Sequence, residues 1–252
     1  MKRARVLVSL VLAAGLAGCS LLGDDTKTTV TLSVGGDADH HAVETILRNR
    51  VTGAGMPKPG FVWKAKELVM TVPGDHHDAD FGKLTAPGVL EFRKVLDTQA
   101  NGTECVGQPT AAETELMTAC NDQKERFELD VAKVVRTDVA SAEYQRDDSG
   151  QNVVLVKFTS AGQAKFTALT QEAVGNAGTV QCEQEALGSN GNCLVAVVLD
   201  GRVVSAPEIM SVLTGDVLIS GSFSATEAKQ LAALLDTEAL PVAISVTGVA
   251  TA

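Results

Sequence analysis

The chain has 252 residues and a formal net charge of −10, with 31 acidic against 21 basic side chains. This acidic balance excludes the positively charged surface that proteins use to bind nucleic acid, so we expect no nucleic-acid partner. The length suits one large domain or two small ones.

The N-terminus has the pattern of an export signal. Three basic side chains among the first five residues precede an apolar stretch over residues 6–15, which is too short for an ordinary membrane span. The signal ends in Leu-Ala-Gly-Cys at residues 16–19, which resembles the lipobox of bacterial lipoproteins. That resemblance implies lipid attachment at Cys19 and cleavage directly before it.

We therefore expect residues 1–18 to be a signal peptide and residues 19–27 to be a polar tether. The protein would be held by its lipid at the outer face of the bacterial cytoplasmic membrane, since two or three acyl chains anchor stably where one does not. Loss of three basic residues would lower the formal charge from −10 to −13. Such an acidic domain is not expected to bind anionic headgroups directly.

The next segment has the element order of a ferredoxin-like sheet. The predicted elements are a strand, a helix that Asp37 or Asp39 caps, a two-stranded hairpin, a short helix and a strand: residues 28–34, 40 to about 53, 61–64 and 67–72, 81–84, and 89–95. This strand, helix, strand, strand, helix, strand order is the ferredoxin-like plan. We predict a base over residues 28–95 plus 241–250, with 242–246 returning as an extra edge strand.

Residues 96–240 are predicted to form an inserted α+β head, which makes the whole chain an α+β protein. The predicted strands are 127–135, 139–145, 152–158, 194–199, 202–205 and 217–220. Asp200 and Gly201 fit a tight hairpin turn between two of them. Two helices follow capping boxes, at Ser160 with Gln163 and at Ser224 with Glu227.

Four cysteines besides Cys19 form an even set that fits an oxidising compartment: Cys105, Cys120, Cys182 and Cys193. Three pairings are possible. Local pairing of Cys105 with Cys120 and of Cys182 with Cys193 is favoured, because each pair brackets one polar segment. Zinc binding is the rival hypothesis, but no pair has the short spacing of common zinc ligands.

Several short motifs occur in one order along the chain: Arg48-Asn49-Arg50, Pro73-Gly74, Glu91-Phe92-Arg93, Asp200-Gly201, Ser205-Ala206-Pro207, Gly221 with Phe223, and Pro241. Together they resemble the large periplasmic domain of SecD, a membrane subunit that assists protein export. The segments 101–123 and 179–192, which carry the cysteines, depart from that family's pattern.

Candidate catalytic and metal-binding residues are few. His40-His41 and His76-His77 are predicted at opposite ends of the base sheet, so they cannot share one metal ion. Residues 75–80 alone are more simply a solvated loop than a metal site, and Asp200 is explained by its turn. Ser205 lacks the Gly-x-Ser-x-Gly frame of a nucleophile. We expect no metal, no cofactor and no enzyme activity.

The resemblance implies that the head holds emerging polypeptides and swings on its base, driven by proton flow through membrane helices. No apolar stretch after residue 19 approaches the length of a membrane span, so we expect passive binding without proton coupling. The leading hypothesis is a lipoprotein that assists export, with exported polypeptides or Sec translocon components as partners. The alternative is a scaffold or sensor lipoprotein for another envelope protein or a small ligand, which the two cysteine-containing insertions favour.

Overall fold

The computed structural model describes residues 26–99 and 111–252. Within these ranges the chain forms three sheets and four α-helices, which confirms the predicted α+β class. The helices are α1 His40–Gly53, α2 Phe81–Leu84, α3 Ser160–Ala173 and α4 Ala225–Leu235. The strands are β1 Lys27–Val34, β2 Gly60–Lys64, β3 Glu67–Pro73, β4 Leu90–Gln99, β5 Met117–Cys120, β6 Arg126–Leu129, β7 Val134–Val135, β8 Val139–Arg146, β9 Asn152–Phe158, β10 Val195–Leu199, β11 Arg202–Ser205, β12 Val217–Ser220 and β13 Ile244–Thr251.

The base sheet has the order β13-β1-β3-β2, with every neighbouring pair antiparallel. Alternate residues of β1 and β3 are buried, which is the period-two pattern of strands with one covered face. They pack with the apolar stripe of α1, where Val43, Leu47 and Val51 are buried. This arrangement is consistent with the predicted ferredoxin-like base.

The prediction that residues 89–95 complete the base sheet is wrong. β4 pairs with β10, β6 and β7, and β13 is the fourth base strand instead. Residues 90–95 are buried on both faces of β4, as expected of a central strand. Phe92 packs edge-on against Phe158 and Phe166, which belong to the other hydrophobic core. These long-range contacts cannot be read from the order of elements alone.

Five strands of the second sheet close on themselves. The order β10-β11-β5-β6-β4 continues through a β10–β4 pairing, so these strands form a small barrel, and β7 pairs with the start of β4 on the same edge as β6. The interior is filled by apolar side chains such as Met117, Phe127 and Val195. The predicted strand 127–135 is therefore two strands, β6 in the barrel and β7 beside it.

A three-stranded sheet of order β12-β9-β8 lies beside the barrel and shares its core with α3 and α4. The N-cap of α3 is Thr159, whose hydroxyl accepts a hydrogen bond from the Gly162 amide at 3.0 Å, and not Ser160 as predicted. The predicted Ser224–Glu227 capping box of α4 is present. Ser160 is the first helical residue and is exposed.

Helix α4 connects the two cores. It packs against α1 and α2 on one side and against β8 and β9 on the other. A β-carbon at Gly53 would lie 2.9 Å from the β-carbon of Ala233, so α1 and α4 approach closely only because this position is glycine. In the part of the chain that the structure describes, no helix is long and apolar enough to cross a membrane.

Candidate functional site

Two connecting segments, one between α2 and β4 and the other between α4 and β13, meet at Arg50, which is fully buried near the end of α1. Its guanidinium donates hydrogen bonds to five oxygens: Thr237 Oγ1 at 2.9 Å and the carbonyls of Leu84 at 3.1 Å, Ala86 at 2.5 Å, Pro87 at 3.1 Å and Glu238 at 3.0 Å. Burial lowers the pKa of Arg50 to about 10, and the charge of Asp200 opposes that shift. Arg50 therefore fastens both connecting segments to α1.

The Asp200-Gly201 turn also holds one of these connecting segments in place. Asp200 and Gly201 have φ angles of 50° and 81°, as a tight hairpin turn requires. One carboxylate oxygen of Asp200 accepts hydrogen bonds from the amides of Gly88 at 2.9 Å and Val89 at 2.8 Å. Burial raises the pKa of Asp200. The turn thus holds the segment through which the chain enters the barrel.

An open groove of about 620 Å³ lies beside the connecting segments. We call it the junction groove; its apolar lining comes from Val89, Leu90, Val135, Val139 and Ala239. Arg136 lines it too, and donates to the carbonyls of Thr237 at 2.9 Å and Val139 at 3.2 Å. Burial lowers the pKa of Arg136. Sequence reasoning missed Arg136 and Thr237, because no local pattern marks a residue that bonds to a distant segment.

The Glu91-Phe92-Arg93 motif is structural. Phe92 packs in the core, while Arg93 and Glu91 form a buried ion pair on the opposite face of β4, with Arg93 Nε 2.8 Å from a Glu91 oxygen. The same guanidinium donates to the carbonyls of Glu115 at 2.7 Å and Asp130 at 2.8 Å. The pair therefore ties the segments on either side of β5 and β6 to the central strand.

The other motif residues lie at turns and strand ends. Gly74 ends β3 with φ of 93°, the Pro207 carbonyl accepts from the Val195 amide at 3.0 Å, and Gly221 packs beneath the Phe223 ring. Ser205 and Ala206 continue from β11, and Pro241 is exposed after α4. In the first motif, Arg48 pairs with Glu44 and Asn49 is exposed. None of these residues joins the junction groove.

The outer side of β12 is an open strand edge. β12 pairs only with β9, and among the described residues no other strand or loop donates to or accepts from its backbone. Leu218 is 52% exposed and lies directly opposite Leu155 on the outer face of the sheet. An edge of this kind can pair with an added strand, and the neighbouring apolar side chains would contact that strand's residues.

Cys182 and Cys193 form a disulfide, with Cα atoms 6.0 Å apart. The loop between them is ordered by further bonds: Thr98 Oγ1 donates to the Glu185 carbonyl at 2.6 Å, and Glu208 accepts from Asn190 and Asn192. Cys120 is also disulfide-bonded. Cys105 and Cys19 lie outside the described residues, so the pairing of the first and the lipidation of the second stay predictions.

The histidine pairs lie at opposite ends of the base sheet, since His40 follows the end of β1 and His76 follows the end of the antiparallel β3. His40 stacks on Trp63 with ring centroids 3.6 Å apart. His77 lies 2.8 Å from Asp75 and 3.0 Å from Asp78. Within residues 26–99 and 111–252, no three histidine, cysteine or acidic side chains converge on one metal-sized position.

Comparison with known proteins agrees with this architecture. The family described as SecDF, P1 head subdomain matches residues 114–242, which is half of the chain. The chain belongs to the SecDF P1 head family. The match begins shortly before β5 and runs through β12 and α4, so it contains the open edge and one of the two connecting segments.

Full-length relatives of the SecDF P1 head are similar over most of this chain. The protein translocase subunit SecDF of Thermus thermophilus is 27% identical, covering 89% of this chain and 30% of its own length. The protein translocase subunit SecD of Rhodobacter capsulatus is 30% identical, covering 79% of this chain and 33% of its own length. The chain thus spans about a third of these relatives.

One solved structure has nearly the same extent as this chain. It belongs to work on a membrane component SecDF that enhances protein export, and it aligns with a TM-score of 0.55 at 25% identity. The alignment covers 87% of this chain and 98% of that one. The likeness therefore includes the base sheet as well as the P1 head.

Proposed function

We propose that this protein binds extended, newly exported polypeptides in support of protein export, as a non-catalytic module without proton coupling. The single observation that carries the proposal is the open edge of β12 with Leu218 and Leu155 beside it. Main-chain pairing along such an edge is independent of sequence, which suits a protein that must hold many different chains. The names of the SecD and SecDF relatives support the export setting.

We propose the junction groove, which lies at the β8 side of the same sheet, as a second binding surface. Its apolar lining can take side chains of a bound segment, and Arg136 is held in place there by two backbone carbonyls. Because Arg50 and Asp200 fix both connecting segments, the groove is preformed and does not have to be ordered when a polypeptide binds. The comparisons do not favour the alternative of a scaffold or sensor lipoprotein.

The location belongs to the same proposal. A lipid on Cys19 would hold the protein at the outer face of the cytoplasmic membrane, where exported chains emerge, with Sec translocon components as neighbours. Metabolic labelling with a palmitate analogue tests this part: label is expected in the wild-type protein and absent from Cys19→Ser. Equal labelling of both would contradict the anchor without affecting the binding proposal.

Site-specific photocrosslinking tests the binding proposal. A photoreactive phenylalanine analogue at Leu218 is expected to crosslink to a stalled secretory precursor. The matched control places it at Leu116, which is 65% exposed and lies outside any strand, directly before β5. Crosslinking at Leu218 to a folded protein as strongly as to the precursor, or equal crosslinking at Leu116, would overturn the proposal.

A substitution at the same position gives a second test. Leu218→Lys is expected to weaken binding of an unfolded polypeptide severalfold, because a charged side chain on an edge strand opposes addition of another strand. Leu116→Lys introduces the same charge at an exposed position outside any strand and should leave binding unchanged. Collapse of the membrane potential should not affect binding, since the proposed interaction is passive.

A further inference from the structure

The outer edge of β2 is a second open strand edge, at the side of the base sheet opposite β13. β2 pairs only with β3, and in the neighbouring β1–β3 pair the Val34 amide donates to the Lys66 carbonyl at 2.9 Å. Because bonded positions alternate in antiparallel strands, this bond fixes the pattern: even-numbered residues of β3 bond to β1 and odd-numbered ones to β2. The partners of those odd-numbered residues are Gly60, Val62 and Lys64.

Phe61 and Trp63 therefore direct their amides and carbonyls away from β3. Among the described residues, no other segment donates to or accepts from these four main-chain groups. The two side chains are already held in place. Trp63 Nε1 donates to Glu44 at 2.9 Å, and the indole ring stacks on His40. Arg48 Cζ lies 5.2 Å from the centroid of the Phe61 ring. The edge thus offers two donors and two acceptors on a strand that does not have to be ordered first.

The β2 edge is basic in an otherwise acidic chain. Lys58, Lys64 and Lys66 lie along it, and these exposed side chains form no ion pair in the part of the chain that the structure describes. Glu67 lies opposite Lys64 in the hairpin and offsets one of the three charges. The β12 edge, by contrast, has no lysine or arginine over residues 214–222. Lysines on an edge oppose the addition of uncharged and basic strands, whereas an acidic strand gains ion pairs.

A second copy of this chain does not suit the edge. Two β2 strands could pair antiparallel about Val62, with Phe61 of each copy opposite Trp63 of the other. The same register would place Lys58 of each copy opposite Lys66 of the other, and residues 58–66 contain no acidic side chain to compensate. Like charges that face each other across a strand pair oppose its formation. The occupant that fits is an extended segment with acidic side chains.

We propose that the β2 edge binds an extended acidic segment of a partner protein by strand addition. The main chain of that segment would exchange hydrogen bonds with Phe61 and Trp63, and its carboxylates would pair with Lys64 and with the lysines at either end of the strand. The β2 edge belongs to a different sheet and a different core from the β12 edge. The proposal therefore does not rest on the proposed function.

Peptide titration of the purified protein tests the charge part of this proposal. Trp63 is the only tryptophan in the sequence, so its fluorescence reports on the β2 edge. The probe is acetyl-Thr-Glu-Val-Glu-Thr-amide, and the control peptide has Lys in place of both Glu residues. We expect the Glu peptide to bind about tenfold more tightly, since attractive cross-strand pairs replace repulsive ones. Equal affinity for the two peptides would overturn the proposal.

Hydrogen exchange tests the main-chain part. The Glu peptide should protect the amides of Phe61 and Trp63, while the amides of Val62 and Lys64, which already bond to β3, should change little. No added protection at Phe61 and Trp63 would overturn strand addition. Protection that rises with protein concentration in the absence of peptide would overturn the choice of occupant in favour of a second copy. The same protection by phosphatidylglycerol vesicles alone would overturn it in favour of anionic lipid.

Charge reversal separates recognition from folding. The double variant with Lys64→Glu and Lys66→Glu should bind the Lys peptide more tightly than the Glu peptide, a reversal that a folding defect cannot produce. Lys124→Glu makes the same substitution at an exposed position in the turn before β6 and should keep the wild-type preference. A double variant that still prefers the Glu peptide would overturn the proposal. Leu218→Lys should leave binding of the Glu peptide unchanged, so failure at the β12 edge and failure here are distinguishable.

Discussion

Next to the C-terminal end of α4, the buried guanidinium of Arg50 from α1 donates hydrogen bonds to five oxygens. One of these acceptors is the hydroxyl of Thr237, just after α4. Two helical turns earlier, the equally buried amide of Gln230 has no partner at all among the described residues. Both ends of α4 contact α1 or its neighbours, so burial alone does not explain why Arg50 has partners and Gln230 has none. A saturated group holds the fold together, while a buried group without a partner lowers its stability.

Substitution of Arg50, whose hydrogen bonds are all made, should have the largest effect on the free energy of unfolding. Arg50→Met would leave four carbonyls and the Thr237 hydroxyl without their donor, and we expect the free energy of unfolding to fall by about 3 kcal/mol. Arg50→Lys should recover only a small part, because an ammonium cannot reach five oxygens in the planar arrangement of a guanidinium. Urea unfolding measures both, with Arg48→Met as the control from the same helix. A loss below that of the control would show that the junction does not depend on Arg50.

Substitution of Asp200 in the turn at the junction should have the second largest effect on the free energy of unfolding. Asp200→Ala removes the acceptor of the Gly88 and Val89 amides and places alanine at φ of 50°, so we expect a loss of about 2 kcal/mol. Asp200→Asn keeps an acceptor and a side chain that tolerates this conformation, and should lose less than half as much. Thermal unfolding of the three proteins compares them directly.

The contribution of Asp200 to stability should change with pH in a direction that its shifted pKa fixes. Because burial raises the folded-state pKa of Asp200 above its ordinary value of 3.8, the folded state binds this proton more tightly than the unfolded state. The contribution of Asp200 to stability is then largest below pH 3.8 and declines as the pH rises through the folded value. Subtracting the Asp200→Asn profile from the wild-type profile isolates it, and the opposite slope would contradict the shift.

Two matched substitutions along α4 test whether a buried polar group with a partner contributes more to stability than one without. Thr237→Val and Gln230→Met both replace a buried polar side chain by an apolar one of similar size. We expect Thr237→Val to lower the free energy of unfolding by about 1 kcal/mol, because Arg50 Nε loses its acceptor, and Gln230→Met to leave it unchanged or raise it by about 1 kcal/mol. Loss of stability in both variants would mean that Gln230 is structural after all.

The smallest effect concerns the protonation of His77, in the loop after β3. The hydrogen bond to Asp75 and the charges of Asp75 and Asp78 raise the pKa of His77 above 6.5. Asp75→Asn should lower it again, while Asp80→Asn, which does not contact His77, should not. Titration of the His77 ring resonances measures this; because the side chain is exposed, no change in stability is expected.

Local patterns predicted local features well. The Asp200-Gly201 turn, the Ser224–Glu227 cap and the α1 stripe depend on neighbours within a few residues, and each is present. The cap of α3 was misplaced by one residue because Thr159 and Ser160 are both good capping residues. These features require no knowledge of the rest of the chain.

Features that depend on distant partners could not be predicted. The sheet to which β4 belongs is decided by pairing with β10, about a hundred residues later, and by Phe92 packing on Phe158 and Phe166. The resemblance to SecD pointed to Arg50 without revealing its five acceptors. Gln230 carries no sequence signal, since a glutamine in an amphipathic helix is ordinarily a solvated side chain.

The pairing of β1 with β13 joins Thr28 to Thr251, the two extremes of the described chain. Because Thr28 and Thr251 are 223 residues apart, one edge of β1 stays open until this distant strand reaches it. Closing so long a loop is slow, and an unpaired edge invites pairing with other chains meanwhile. We therefore expect completion of the base sheet to be a slow step of folding, and a chain cut short before β13 to aggregate more readily.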